Sequence, residues 1–558
     1  MKLTIFTLLV AATTLSRISD AQDMPIPISQ GKQLKTLFLN KDGKVLFTLP
    51  PDHSVVSEFP SGGYIIMVDD PVNIDVFSEG RCVVKNANNE FYWIDEKGKT
   101  VKSFGKQYEK MSPFMNGYCL VWKKMTTRDD AYMLVYLNPQ GNNAFGVKEF
   151  WEAAPFSEGY AAVQLVDEKG EWGFIDKTGE MVIHLDSRIV GEIVKLGPFS
   201  EGLARVFVRG EKTGDYQYKY NYYFVDTNGK IAIDLAKIFP GQVIGNVQSF
   251  SDGLCSVTFS KPNGGWPKLV FIDKNGNVRH SFNSIDSHTS FKGGVMSYTT
   301  AKKNEDGSFS MKMHIIDTVE NEIILTTASD EPLIEMKDIS HDYYNVQAIN
   351  PESLLTILFA RKTGKQVFKT KHKIVGNVGN IFLLRDEITE TFHLIRLPEG
   401  QEIWHTADEN RYFISIEEAK KLKNKVHYFK LRSGDSFPAE ILSFKNLESL
   451  DIMNDLKEIP SSISGLKKLR VLQFSFLSGL KSLPIEIASL PLLEELHIMD
   501  CKSLHGVERI IESAPSLKTV YLSDYELEAG FEEKMKKLKP GLTIYSSFST
   551  LEEVIMEE

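Results

Sequence analysis

The chain repeats itself, and the repeat limits its fold more than any other feature. Phe-x-x-Gly followed by a strand-like run starts at Phe77, Phe114, Phe156, Phe199, Phe250 and Phe291, at spacings of 37, 42, 43, 51 and 41 residues. A period near forty means that one short unit is copied and that each copy buries its apolar face on the next. Between these starts lies a second signature: an aromatic, a β-branched residue, Asp, two polar residues and Gly. It reads "WIDEKG" from Trp93, "FIDKTG" from Phe174, "FVDTNG" from Phe224 and "FIDKNG" from Phe271. Looser copies are "FLNKDG" at Phe38, "YLNPQG" at Tyr136 and "IIDTVEN" at Ile315.

An Asp or Asn that bonds nearby backbone N–H groups, with a Gly three residues later to take positive φ, suits a type I turn with a G1 bulge. That turn joins two strands. Alternation in "YCLV", "LARV" and "LCSV" places every second side chain on one face, and runs such as "EMVIHL" and "IVKLGPF" supply a third and a fourth strand. The pattern predicts a mainly β repeat array, β-propeller-like, with an open β-solenoid or superhelical hairpin stack as the alternative. In "FSEG" the Ser and Glu are read as turn residues, so Ser157→Ala should be nearly neutral and Gly159→Val harmful to folding.

"WGFIDKTG", Trp172 to Gly179, with "FSEGYAAV" upstream, resembles the WG repeat. The resemblance covers residues 34–406, predicts eight or nine units, and implies a shared fold rather than a shared ligand. Other copies carry Phe91-Tyr92 or Tyr222-Tyr223 where the Trp-Gly pair would stand.

The N-terminus, "MKLTIFTLLVAATTLSRISDAQ", has a Lys2 n-region, an apolar run and small residues at Ser19 and Ala21. It reads as a signal peptide over 1–21, followed by a linker over 22–33 and implying export to the periplasm, cell surface or medium. No later run reaches the roughly 18 apolar residues a spanning helix needs. A formal net charge of −10 without a dense Lys/Arg tract argues against a nucleic-acid partner. Cys82, Cys119 and Cys255 each lie five residues after their Phe, in a slot filled elsewhere by Ala161, Ala204 and Met296. They are read as buried structural thiols rather than disulfides or metal ligands.

Beyond Tyr412 the period shortens. "LESLDI" (Leu447), "LRVLQF" (Leu469), "LEELHI" (Leu493) and "LKTVYL" (Leu517) follow "VHYFKL" (Val426) at spacings of 21, 22, 24 and 24. The pattern L-x-x-L-x-L at this spacing resembles leucine-rich repeats, here over 412–545, with an acidic tail at 546–558. That resemblance implies an α/β solenoid whose concave strand face binds a protein or peptide. "SIEEAKKL" from Ser415 is a capping box opening a short helix, expected to cover the N-terminal end. On the concave face a middle row of Lys430, Asp451, Gln473, His497 and Tyr521 is expected to point to solvent. Tyr428, Ser449, Val471, Glu495 and Thr519 flank it on one side, and Arg432, Met453, Ser475 and Met499 on the other.

Catalytic constellations are missing from the pattern. Ser157 has no Gly-x-Ser-x-Gly context and no His in register. The turn residues Asp95, Asp176, Asp226 and Asp273 offer one acid per unit, too few for calcium, and no phosphate loop or zinc-protease helix occurs. The expectation is therefore a non-enzymatic interaction protein with no catalytic residue, metal or cofactor, binding a protein or peptide. A glycan bound through aromatics such as Trp93, Trp151, Trp172 and Trp266 is the alternative.

Overall fold

A computed structural model describes residues 25–545 except 31–34, 57–75, 126–130, 167–169, 186–191, 213–217, 260–267, 284, 304–308, 319–320, 326–332, 339–341, 351–352, 387, 435, 454–455, 524, 526 and 529. The expected signal peptide, most of the linker, Trp266 and the acidic tail lie outside the described residues. The chain divides into two compact units. One runs to Arg385 and resumes at His393–Trp404; the other comprises Asp386–Phe392 and the chain from His405 onward.

The first unit is built of short antiparallel sheets in chain order. Among the described residues nine repeats begin at Ile26, His53, Lys110, Phe150, Glu192, Ile244, Ile285, Leu333 and Lys373. The third and fourth share one seven-stranded sheet through a single pairing, Leu134 with Phe150. In the fifth, strands Glu192–Ser200, Leu203–Lys212, Tyr218–Asp226 and Ile231–Asp234 follow one another as hairpins. The array starts earlier than expected. Strand Ile26–Gln30 occupies the predicted linker, with Ile26 and Ile28 buried. Its Pro27 obscures the strand signal but is tolerated because this strand is the edge of its sheet.

Both turns of the repeat have the chemistry the sequence demands. Asp226 Oδ1 accepts from the N–H groups of Asn228 and Lys230, each at 2.9 Å. Gly229 has φ +75°, and the register slips by one residue beside Phe224, as a G1 bulge requires. At the "FSEG" turn Glu201 and Gly202 have φ of 54° and 83°, two consecutive left-handed residues that make a type I′ hairpin.

The two sequence signatures meet in space. The Phe of each Phe-x-x-Gly packs on the aromatic of the preceding repeat's Asp turn: Trp93 with Phe114 at 4.5 Å, Phe174 with Phe199 at 4.7 Å, Phe224 with Phe250 at 4.9 Å and Phe271 with Phe291 at 5.0 Å between ring centres. These rings are buried, and such pairs add about 0.5–1.5 kcal/mol each beyond area burial. The turn glycine is needed for a second reason, close approach. A Cβ on Gly98 would lie 2.5 Å from the Phe47 ring of the repeat before it, and one on Gly276 would lie 2.6 Å from Ile238.

The same contact joins the two ends of the array. Gly43 of the first repeat sits against the ninth, where a Cβ would meet Ile403 O at 2.6 Å and the Trp404 side chain at 2.8 Å. Arg396 Nη2 donates to Lys41 O at 2.9 Å and pairs with Asp42 at 3.2 Å. A closed array makes this contact; an open stack lacks it.

"FSEG" does more than turn the chain. Ser157 Oγ donates to Phe199 O of the next repeat, and Ser200 Oγ to Phe250 O, both at 2.7 Å. The Glu158 carboxylate accepts from Glu201 N at 2.6 Å and Gly202 N at 2.9 Å. Glu201 in turn accepts from Gly253 N at 3.0 Å, and Asp252 from Gly294 N at 2.7 Å. Successive amides of a left-handed turn form an anion-binding nest, so the carboxylates of Glu158, Glu201 and Asp252 each bond to the amides of the next repeat's turn. This corrects the reading of Ser157 as neutral: its hydroxyl is an inter-repeat bond whose partner lies 42 residues away.

The four cysteines are free and buried. Burial pushes the thiols of Cys82, Cys119 and Cys255 well above the ordinary range, as befits small core residues.

The second unit is a seven-stranded parallel sheet in strict chain order: Tyr412–Phe413, Tyr428–Leu431, Ser449–Ile452, Val471–Ser475, Glu495–Met499, Thr519–Ser523 and Thr543–Tyr545. Short 3-10 turns Ala439–Ser443, Ser461–Gly465 and Ile485–Ser489 start directly after Pro438, Pro460 and Pro484. Their Ile441, Ile463 and Ile487 close the core over Leu450, Leu472 and Leu496, all fully buried. Ser415 caps helix Ile416–Lys421 by accepting from Glu418 N at 3.3 Å. That helix lies in the first connection of the sheet. Strand Tyr412–Phe413 precedes it and pairs with the next strand, so the helix takes the place of a connecting arc.

Candidate interaction face

Parallel pairing places one middle row across the solvent side of the second unit. Lys430, Asp451, Gln473, His497 and Tyr521 stand opposite one another in register, and the row runs on to Tyr545. The row predicted from sequence is therefore contiguous. Its accessibility is not uniform.

Lys430 and Asp451, expected to face solvent, are each only 6% exposed. Lys430 Nζ donates to Glu390 Oε1 at 2.6 Å and lies 4.3 Å above the Tyr412 ring. Asp451 pairs with Arg432 at 3.2 Å, and Arg432 also reaches the sulfur of Met453. Ser449, Val471 and Ser475 are buried as well, and Tyr412 lies 3.4 Å from Ser449 through its hydroxyl. Burial, and then the nearby Glu390 charge, hold the Tyr412 phenol well above its ordinary pKa. The physical reason is Glu390. It comes from the segment Asp386–Phe392, belongs to no leucine-spaced repeat, and sits at φ 55°.

The other half of the row is half-buried. Gln473 bonds Ser475 Oγ at 3.1 Å and reaches the sulfur of Met499 at 3.7 Å. His497 pairs with Glu495 at 3.0 Å and lies 4.5 Å from Tyr521 between ring centres, the rings tilted by 41°. Tyr521 stacks on Tyr545 at 4.9 Å with the rings 7° from parallel. Three aromatic rings thus line three adjacent strands, with Met499 beside them. Glu390, Tyr412 and Tyr545 escape the sequence reading. Only Tyr545 carries a usable signal, standing 24 residues after Tyr521.

The β-repeat unit places the other suspected residues elsewhere. Ser157 has its hydroxyl committed to a carbonyl. Asp95, Asp176, Asp226 and Asp273 each hold their own turn through local amides, and these bonds lower the carboxyl of Asp273 to about 2. Trp93 and Trp172 are core residues and Trp151 is half-buried.

Residues 172–186 match the model of the WG containing repeat. No curated protein matches the sequence. Solved structures with a similar trace include AztD from Citrobacter koseri (TM-score 0.34, 8% identity, 68% of this chain and 93% of that one). BamB from Moraxella catarrhalis gives 0.28 and 10%, covering 54% and 85%. The β-propeller domain of the Trilobed protease from Pyrococcus furiosus gives 0.30 and 14%, covering 54% and 97%. At these scores the likeness carries no function across. The chain contains a WG containing repeat at Trp172 to Asp186, set in a mainly β repeat array.

Proposed function

We propose that this is an exported, non-enzymatic interaction protein. Its WG-type, propeller-like array serves as a platform, and its C-terminal unit is a leucine-rich repeat domain whose strand face takes a protein or peptide. The observation that carries the reading is the run of neighbouring rings His497, Tyr521 and Tyr545 beside Met499. Large rings held in register on the solvent side of a sheet, with a polarisable thioether next to them, supply recognition area at low entropic cost. The binding half of the face is Gln473 to Tyr545. Lys430 and Asp451 are reassigned to internal ion pairs.

A photo-crosslinking residue at position 473 of the full chain, compared with one at the exposed Lys467 on the opposite side, tests this in native extracts. Position 473 should give a discrete protein adduct that Tyr521→Ala with Tyr545→Ala removes. Equal labelling at both positions, or no adduct at 473, refutes it. A signal-processed N-terminus at Gln22, read by mass spectrometry of the mature protein, tests export.

A further inference from the structure

The β-repeat unit holds a groove of about 360 Å³ where the first repeat meets the second. Its apolar floor is Leu49, Pro50, Phe91 and Ile94; its polar side presents His53, Asn86, Glu90, Tyr92, Thr100 and Ser103. The polar groups are prearranged. His53 Nδ1 lies 2.6 Å from the Tyr92 hydroxyl. Burial, then the neighbouring Cys82, push the Tyr92 phenol up to about 12, so the phenol keeps its proton. The contact orients the imidazole, whose Nε2 has no protein partner among the described residues. Asn86 Nδ2 donates to Glu90 Oε2 at 2.8 Å, and the Asn86 carbonyl is held by the N–H groups of Asn88 and Glu90, each at 3.0 Å. That network fixes the Glu90 carboxylate and leaves Oε1 without a protein partner among the described residues.

The set selects a ligand class by what it offers and what it lacks. No Lys or Arg lines the groove, so an anion would meet an uncompensated carboxylate. One carboxylate is too few for a hard cation, and no cluster of three His, Cys, Asp or Glu that could hold a metal exists among the described residues. Half the wall is hydrogen-bonding, which an apolar ligand would leave unsatisfied. A ligand with several neutral hydroxyls and an apolar face satisfies every group.

We propose that this groove is a saccharide subsite. Adjacent hydroxyls of a neutral sugar bond to His53 Nε2 and donate to Glu90 Oε1, Thr100 and Ser103 supply further bonds, and the C–H face of the ring lies on Tyr92. The site goes beyond the protein-binding reading and is independent of it, since no residue is shared.

Saturation-transfer NMR on the full chain with the methyl glycosides of glucose, galactose, mannose and N-acetylglucosamine tests it, with inorganic phosphate and choline as competitors. At least one glycoside should bind with millimolar Kd. Glu90→Gln should weaken it by about tenfold, the loss of one charged hydrogen bond. Ser103→Trp, an exposed substitution that fills the groove, should abolish binding with the thermal midpoint unchanged. No binding of any glycoside up to about 50 mM, a limit weaker than any useful site, overturns the proposal. So does binding that survives both variants, or displacement by phosphate or choline. Photo-crosslinking at position 473 is unaffected by either variant, so failure here and failure of the partner-binding reading are told apart.

Discussion

Replacing Glu158 by Ala removes two bonds at once, those accepted from Glu201 N and Gly202 N in the next repeat. It also leaves a non-glycine residue at φ 51°. The structure supplies its own control. Glu79 occupies the same turn position at φ 53°, yet its carboxylate makes no bond among the described residues. Glu79→Ala therefore reports the turn alone, and the difference between the two variants isolates the carboxylate in its nest. Hydrogen bonds to a charged group are worth about 1.5–3 kcal/mol when buried. This pair is exposed and screened, so the expected difference is about 1–2 kcal/mol. All six tryptophans precede His405, so urea unfolding followed by Trp fluorescence reads the β-repeat unit without interference from the second. If Glu158→Ala falls within about 0.5 kcal/mol of Glu79→Ala, the ordinary scatter for a surface site, the carboxylate is not an inter-repeat tie.

By the same assay Ser157→Ala should cost about 1 kcal/mol, because Phe199 O loses its donor; no change would restore the neutral reading. Gly98→Ala should be worse than Gly159→Ala, by about 2 kcal/mol of overpacking. Both sit at positive φ, but only Gly98 faces a ring at 2.5 Å, whereas nothing lies within 4 Å of Gly159. Burial lowers the pKa of His288 to about 4, and the ring contacts Ser256 Oγ at 3.1 Å. The unfolded chain then binds a proton that the folded one refuses. Stability on this account is fully present above pH 6.5 and is lost as the pH falls toward 4. His288→Gln should flatten that part of the stability profile, and an unchanged slope would show that His288 does not titrate across folding.

What the sequence shows and hides follows from range. Asp176 acts within its own hairpin, where residue type and spacing carry the geometry, and so its turn was legible. That Phe199 packs on Phe174, or that Glu158 reaches Glu201, depends on how consecutive copies face each other, and the period states only that they do. Arg361 shows the limit inside a decayed copy. It stands where other repeats carry the turn Asp, yet it is buried 4.3 Å from the Tyr344 ring with Nη1 at 3.2 Å from that hydroxyl. On the parallel sheet, in and out alternate correctly, but solvent exposure failed at Lys430 and Asp451. Alternation assigns a side of the sheet, and Glu390 covers that side from outside the leucine spacing.

The meeting of Gly43 with Ile403 and Trp404 bears on how such a chain grows. Among the described residues the first repeat takes its strands from the N-terminal end and the ninth takes its own from the C-terminal end, with no strand lent across the join. A duplicated copy inserted between repeats whose sheets are separate would therefore bring its own hairpins and break no existing ladder, whereas one between the third and fourth would interrupt their shared pairing. Among the described residues the join is held by Arg396 and by packing around Gly43 rather than by a strand ladder, so tension applied to the ends of the array would load those contacts directly.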